Sequence, residues 1–83
     1  MTQTEDEIFE RICALVKHFN IKNIPINQNT VFSSDLELDS LTVMDLLAEV
    51  EDEFDITIPL NILPDLETVG QFTTAVHKLL GNQ

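Results

Sequence analysis

Apolar residues recur at helical spacing in three separate stretches of this chain, and the segments between them are broken by proline, asparagine and serine. Ile8, Ile12, Leu15, Val16 and Phe19 share one face of a helix predicted over about Glu5–Phe19. Thr4 and Glu7 form a capping-box pair at its start, each side chain reaching an amide the helix cannot satisfy. Val43, Leu46, Leu47, Val50 and Phe54 fall in one narrow arc of a second helix, predicted over about Ser40–Phe54 with Asp39 as its N-cap. Val69, Phe72, Val76, Leu79 and Leu80 line a last helix, capped by Thr68 with Gln71 and stopped at Gly81. Such stripes must bury against one another. The expected fold class is therefore all-α: a small bundle of three longer helices plus one short helix, with a long first loop. Eighty-three residues suffice for a single domain, residues 1–83, with a modest core.

The long first connection runs from about Asn20 to Leu38. Asn23, Pro25, Asn27, Gln28, Asn29, Ser33 and Ser34 argue against regular structure there. Ile21, Ile24, Ile26, Val31, Phe32, Leu36 and Leu38 can pin the connection onto the core. A loop of this length in a small domain commonly has a binding role. After the second helix, Asp55-Ile56-Thr57-Ile58-Pro59 leaves the helical path, and Pro59 forbids continuation. Leu60 to Leu66 can hold one short helical turn, bounded by Pro59 and Pro64. No strand, internal repeat or low-complexity tract is readable.

The charge balance excludes whole classes of partner. There are 15 acidic residues against 4 Lys and Arg, a formal net charge of -11. Nucleic acid and anionic membrane surfaces both demand a positive footprint and are disfavoured. Between Asn23 and Val76 there is no Lys, Arg or His, and that stretch holds 11 acids. Outside it, Glu5, Asp6, Glu7 and Glu10 offset Arg11, Lys17, Lys22 and Lys78, so the whole net charge sits mid-chain. Solubility alone is one reading of that block; a docking surface for basic partners is the other. No run of ~18 apolar residues suggests a membrane span, and the polar start Met1-Thr2-Gln3-Thr4-Glu5-Asp6 lacks the features of a signal peptide. Cys13 is the one cysteine, at the edge of the first helix's apolar face, and reads as a buried structural thiol. A cytoplasmic setting is expected.

No catalytic arrangement is legible. His18 and His77 are isolated, Cys13 has no His or Asp partner in sequence, and two glycines make no phosphate loop. Of Ser33, Ser34 and Ser40, only Ser40 opens a long amphipathic helix, directly after Asp39 and before Leu41. The amides and positive dipole end of a helix N-terminus favour a phosphate there despite the acidic surroundings. An isolated Asp-Ser-Leu most often just caps a helix. Its neighbours add a second feature. Leu41, Met44 and Ala48 form an apolar arc beside the core face, flanked by Glu51 on one side and by Asp45, Glu49 and Asp52 on the other. A small apolar strip rimmed by carboxylates suits weak, charge-steered docking. A solvated helix face with stray hydrophobics is the plainer alternative.

The ordered set Asp35-Leu36-Glu37-Leu38-Asp39-Ser40-Leu41, then Val43 to Phe54, then Ile56-Thr57-Ile58-Pro59 and Thr68-Val69-Gly70, resembles the acyl carrier protein family over essentially the whole chain. The resemblance implies a carrier rather than an enzyme, with 4'-phosphopantetheine attached covalently to Ser40 and donated by coenzyme A. It implies that Asp39 and Leu41 help a phosphopantetheinyl transferase recognise the site. Acyl-loading, acyl-modifying and acyltransferase enzymes with basic patches would dock on Leu41, Met44, Asp45, Ala48, Glu49, Glu51 and Asp52. Acyl groups would travel as thioesters in fatty acid, specialised lipid or polyketide biosynthesis, on a monomeric carrier. Glu37 stands where the family commonly has glycine, Thr42 where it often has an acid, and Ala48 where methionine is frequent; these departures favour a dedicated carrier over the housekeeping one. A D-alanyl or other aminoacyl carrier shares the Leu-Asp-Ser start and is an alternative. An acidic adaptor without a covalent cofactor is another. A calcium loop is the weakest rival: Asp35, Glu37 and Asp39 fit its positions 1, 3 and 5, but Ser40 and Leu46 replace the required glycine and glutamate.

Overall fold

The computed structural model describes residues 4–20 and 23–81. Ile21 and residues 1–3, named above as a loop pin and as part of the polar start, lie outside the described residues. Helix α1 spans Glu5–Val16 and tightens into a 3₁₀ turn, Lys17–Phe19. Its capping box is formed: Thr4 Oγ1 accepts the Glu7 N–H at 3.2 Å, and Glu7 Oε1 accepts the Thr4 N–H at 3.1 Å. Helix α2 spans Ser40–Phe54, a short 3₁₀ helix spans Leu60–Asp65, and α3 spans Val69–Gly81. The architecture is the expected helical bundle with a long first loop.

One local expectation needs correction, and two helix ends gain detail. Helix α2 ends at Phe54 as expected, and the exit is made by Asp55, in the left-handed conformation at φ 55 and ψ 50. The Asp55 and Ile56 amides both reach the Glu51 carbonyl, which closes the last turn without help from proline. Gly81 is the last described residue of α3, where the stop was expected, and it has no positive φ. Cys13 is half-buried rather than buried, packed at the edge of the core. Burial, and secondarily the Glu10 carboxylate, push its thiol pKa up, which keeps it in the less reactive protonated form.

The core lies where the three stripes meet. Ile8, Ile12 and Val16 of α1, Leu46 and Val50 of α2, and Val69, Phe72 and Val76 of α3 are fully buried. α1 packs across both α2 and α3. Thr73 is buried among them because its hydroxyl donates to the Val69 carbonyl at 2.9 Å, leaving no polar atom unpaired.

The first loop is strapped to the start of α3. The Phe32 N–H donates to the Glu67 carbonyl, the Val69 N–H to the Thr30 carbonyl, and the Gly70 N–H to the Gln28 carbonyl, at 3.0, 3.0 and 2.9 Å. Among the described residues, the bridge Val31–Thr68 is the one β-type pairing. The strap lets Phe32, Leu36 and Leu38 insert into the core, with the Phe32 ring edge-on to Phe72 at 5.7 Å. Upstream, Asn20 accepts from and donates to Ile24, and Thr30 closes a turn with Asn27, so polar side chains replace the missing regular hydrogen bonds.

Gly70 is required by that strap. A Cβ there would sit 2.9 Å from the Gln28 carbonyl oxygen and 3.1 Å from Gln28 Cβ. Helix propensity favours alanine by ~1 kcal/mol, but crowding a backbone atom typically costs about 1–3 kcal/mol. Gly70→Ala should therefore lower stability by ~1 kcal/mol net, read as a lower denaturation midpoint. Gly81→Ala, whose Cβ meets nothing within 4 Å, should be neutral or slightly stabilising in the same assay.

Candidate functional site

The site is built at the N-terminus of α2. Asp39 stands in extended backbone, φ -81 and ψ 174, and its Oδ1 accepts the Thr42 N–H at 2.8 Å. That hydrogen bond holds the Asp39 pKa below its ordinary value, because it favours the ionised form. One first-turn amide is thereby satisfied by the cap, while the Ser40 and Leu41 amides precede any intrahelical acceptor. Ser40 is the first helical residue, and it is exposed.

The approach to this helix start is fixed by the loop. Asp35 accepts the Val31 N–H with Oδ2 at 2.8 Å and donates its own N–H to the Val31 carbonyl at 3.0 Å. Glu37 then adopts φ 53, a conformation that glycine takes without steric penalty. This explains in backbone terms why a glycine would be at home three residues before Ser40. The Leu38 N–H donates to the Phe32 carbonyl at 3.0 Å. Asp35 and Asp39 thus use their carboxylates on backbone amides, and among the described residues no three His, Cys, Asp or Glu side chains gather to hold a metal.

Ser40 opens onto a groove of ≈ 410 Å³ between α2, the loop and the short 3₁₀ helix. Its walls are mostly apolar: Phe32, Leu38, Val43, Leu60, Leu63 and Leu66, with Ser33, Pro64 and Glu67 also lining it. Val43, on the expected core face, is half-buried against the core and also lines this groove, one helical turn beyond Ser40. An exposed hydroxyl at a helix N-terminus can carry a phosphate ester, whose charge the first amides of the helix favour. A larger groove, of ≈ 640 Å³, lies between the 3₁₀ helix and α3 and does not include Ser40.

The outward face of α2 brings together some of the proposed docking residues and separates others. Leu41 and Met44 are 73% and 43% exposed, and Ala48, Asp45 and Asp52 are exposed with them. Glu49 is half-buried toward α1, with its Oε1 3.8 Å from His18 Nδ1. Glu51 is half-buried on the opposite flank, where its carboxylate accepts the Ile58 N–H at 2.7 Å. Glu53 pairs with Arg11 of α1 at 2.6 Å. Leu60, which no sequence pattern singled out, is 62% exposed on the far wall of the Ser40 groove. Its 3₁₀ helix is too short to display a periodicity.

Comparison with known proteins identifies the family. The family profile described as a phosphopantetheine attachment site matches residues 10–76. The chain is 38% identical over 73 residues to the mitochondrial acyl carrier protein of Saccharomyces cerevisiae, covering 82% of this chain and 58% of that protein. It is 35% identical over 79 residues to the acyl carrier protein of Lactobacillus acidophilus, covering 94% of this chain and 99% of the relative. It is also 31% identical over 80 residues to the meromycolate extension acyl carrier protein of Mycobacterium leprae, covering 95% of this chain and 70% of that one. The chain thus spans a little over half the length of the yeast relative and nearly all of the Lactobacillus one.

The Asp39 cap has a pH signature. Its pKa is lowered on folding, so its contribution is fully present above the unfolded carboxylate pKa of about 4 and is lost as pH falls through the folded value. Asp39→Ala should melt below the wild type at neutral pH. The gap between the two should close as pH falls below the ordinary carboxylate range, as read from paired thermal melts across a pH series. A gap independent of pH would contradict the assigned cap.

Proposed function

This chain belongs to the acyl carrier protein family, and from that premise we propose that Ser40 is the residue that bears its covalently attached 4'-phosphopantetheine. The protein is a carrier and a substrate of other enzymes, not a catalyst. The arm's thiol supplies the one reactive group, which holds acyl cargo as a thioester. The chain's own residues supply position. Ser40 presents its hydroxyl at the start of α2 on the rim of an apolar groove, and this observation carries the assignment. The Asp39 cap accepts the Thr42 amide and leaves the Ser40 and Leu41 amides able to face a phosphate once Ser40 bears one, and the loop held by Asp35 fixes the approach. A phosphopantetheinyl transferase would load Ser40 from coenzyme A, recognising Asp39 and Leu41 beside it.

We read residues 1–83 as one monomeric carrier domain working in a reducing cytoplasm, consistent with its lone cysteine. Partner enzymes of acyl metabolism would approach the outward face of α2. Leu41, Met44 and Ala48 would give the apolar contact, and Asp45 and Asp52, with Glu49 and Glu51 beside them, would steer basic patches. The departures at Glu37, Thr42 and Ala48 support a dedicated pathway in lipid or polyketide synthesis over general fatty acid synthesis.

Incubation with coenzyme A and a broad-specificity transferase should add one phosphopantetheine, mapped by peptide mass spectrometry to Ser40. Ser33 lines the same groove, so label retained in Ser40→Ala would refute the assignment. Asp45→Lys combined with Asp52→Lys should leave the melting temperature nearly unchanged, because exposed charges contribute little to folding. The same pair should raise the transferase KM at low salt, with the difference shrinking at high salt. Met44→Ala should raise KM with little salt dependence.

A further inference from the structure

Among the described residues, three that are not glycine take a left-handed backbone: Asn23, Glu37 and Asp55, at φ 54, 53 and 55. Asn and Asp accept that conformation, because a short polar side chain can bond locally. Asp55 also closes α2 with it. Glutamate is not among these types, and its Cβ meets the clash that glycine avoids. The conformation is imposed from both sides. Leu36 and Leu38 are buried, and their amides bond back to the Val31 and Phe32 carbonyls at 3.2 and 3.0 Å. The backbone between two anchored leucines must reverse, and the residue there must face solvent, where Glu37 is exposed. Leu38 lines the Ser40 groove, so Glu37 stands on the loop side of that opening, three residues before Ser40.

We infer that Glu37 is a specificity-determining residue, whose carboxylate selects enzymes that carry an arginine or lysine on the loop side of Ser40. This rests on the assignment of Ser40 above. Strain held beside a functional opening points to a use for the side chain that bears it. Glycine would make this turn without strain, so what glutamate adds is a charge at the surface. The solvent-facing acids of α2, Asp45 and Asp52, lie on the helix that follows Ser40. Glu37 puts a carboxylate on the segment that precedes it. Negative charge thus stands on both sides of the attachment point. An enzyme whose cations match both sides gains an attraction at Glu37. An enzyme that matches only the α2 side crowds Glu37 against no cation and loses the carboxylate's hydration, which weakens binding. One side chain therefore favours one class of enzyme and disfavours the other.

The test is a competition between the whole wild-type chain, enriched in heavy nitrogen, and a variant at equal concentration. Both meet coenzyme A and a phosphopantetheinyl transferase with an arginine or lysine at the rim that covers the loop side of Ser40. A parallel run uses the same enzyme with that side chain changed to alanine. Intact mass then gives the ratio of the two kcat/KM values, at low and high salt and well below every melt. Glu37→Gln keeps the length and the strained backbone and removes only the charge. The basic enzyme should prefer wild type over it by about threefold at low salt. That preference should fall toward one at high salt and vanish with the alanine enzyme. Glu37→Asp should compete nearly as wild type. Glu37→Gly should compete as poorly as Glu37→Gln, yet melt a few degrees above the wild type as the strain is relieved. Equal competition by Glu37→Gln would overturn the inference. So would a preference unchanged by salt or kept by the alanine enzyme. A lower melt for Glu37→Gly or Glu37→Gln would overturn it too, since the side chain would then serve the fold. If the wild type takes no label at Ser40, the carrier-site assignment fails. If it takes the label and Glu37→Gln competes equally, only the specificity role fails.

Discussion

The strap between the first loop and the start of α3 is the constraint on which the rest of the molecule depends. Three backbone hydrogen bonds, from Gly70, Val69 and Phe32, tie residues 28–32 to residues 67–70. Without them the loop has no regular structure to satisfy its amides. With them, Phe32, Leu36 and Leu38 become core residues, and the loop delivers Asp39 and Ser40 to a fixed point above the groove. The strap needs Gly70 at the start of α3, because any Cβ would meet the Gln28 carbonyl. A helix-weakening residue near one helix start thus helps hold the start of another helix in place.

The strap also resolves a conflict in the sequence. A connection of this length in a small domain costs conformational entropy and yields few local hydrogen bonds. Asn20, Asn27, Thr30 and Asp35 repay some of that by bonding backbone groups within the loop. These polar residues look like loop composition in the sequence and act as a framework in the structure. Under the proposed function these bonds would help hold the Ser40 hydroxyl in one place for recognition from outside.

The helices were legible because periodicity is a long-range signal. Fifteen residues of α2 show their buried and exposed faces without any knowledge of neighbours, and so do the caps at Thr4, Asp39 and Thr68. What the pattern leaves out lies where a single backbone angle or a neighbouring element decides. The left-handed turn at Asp55 ends α2 at the expected residue, Phe54, by an angle that no periodicity displays. Val43 belongs to the core arc and packs against the core, and it also lines the Ser40 groove. The left-handed φ at Glu37 gives a physical meaning to a departure that the sequence could only note. Leu60 escaped notice because a six-residue 3₁₀ helix has no readable face.

Concentrating the negative charge mid-chain has a structural consequence as well as a recognition one. Every positively charged or titratable basic side chain that the structure shows beside a carboxylate lies outside residues 23–76: Arg11 at Glu53, His18 near Glu49, and His77 near Glu5. Arg11 joins the inner flank of α2 to α1, so Glu53 on that flank has a cationic counterpart, and the His18 ring of the 3₁₀ turn stands near Glu49. The outward carboxylates, Asp45 and Asp52, have no such basic neighbour among the described contacts. Electrostatic potential is therefore partly neutralised where α2 meets the bundle and left intact where it meets solvent. Under the proposed function, an approaching basic surface would be drawn to the outward face and, through the geometry of α2, to the helix start that holds Ser40. The same asymmetry limits affinity. Contacts that rely on exposed charge form quickly and part quickly, and a small apolar patch adds only modest residence time. A carrier visited by several enzymes in turn requires that combination, because tight binding to any one of them would stop delivery to the next.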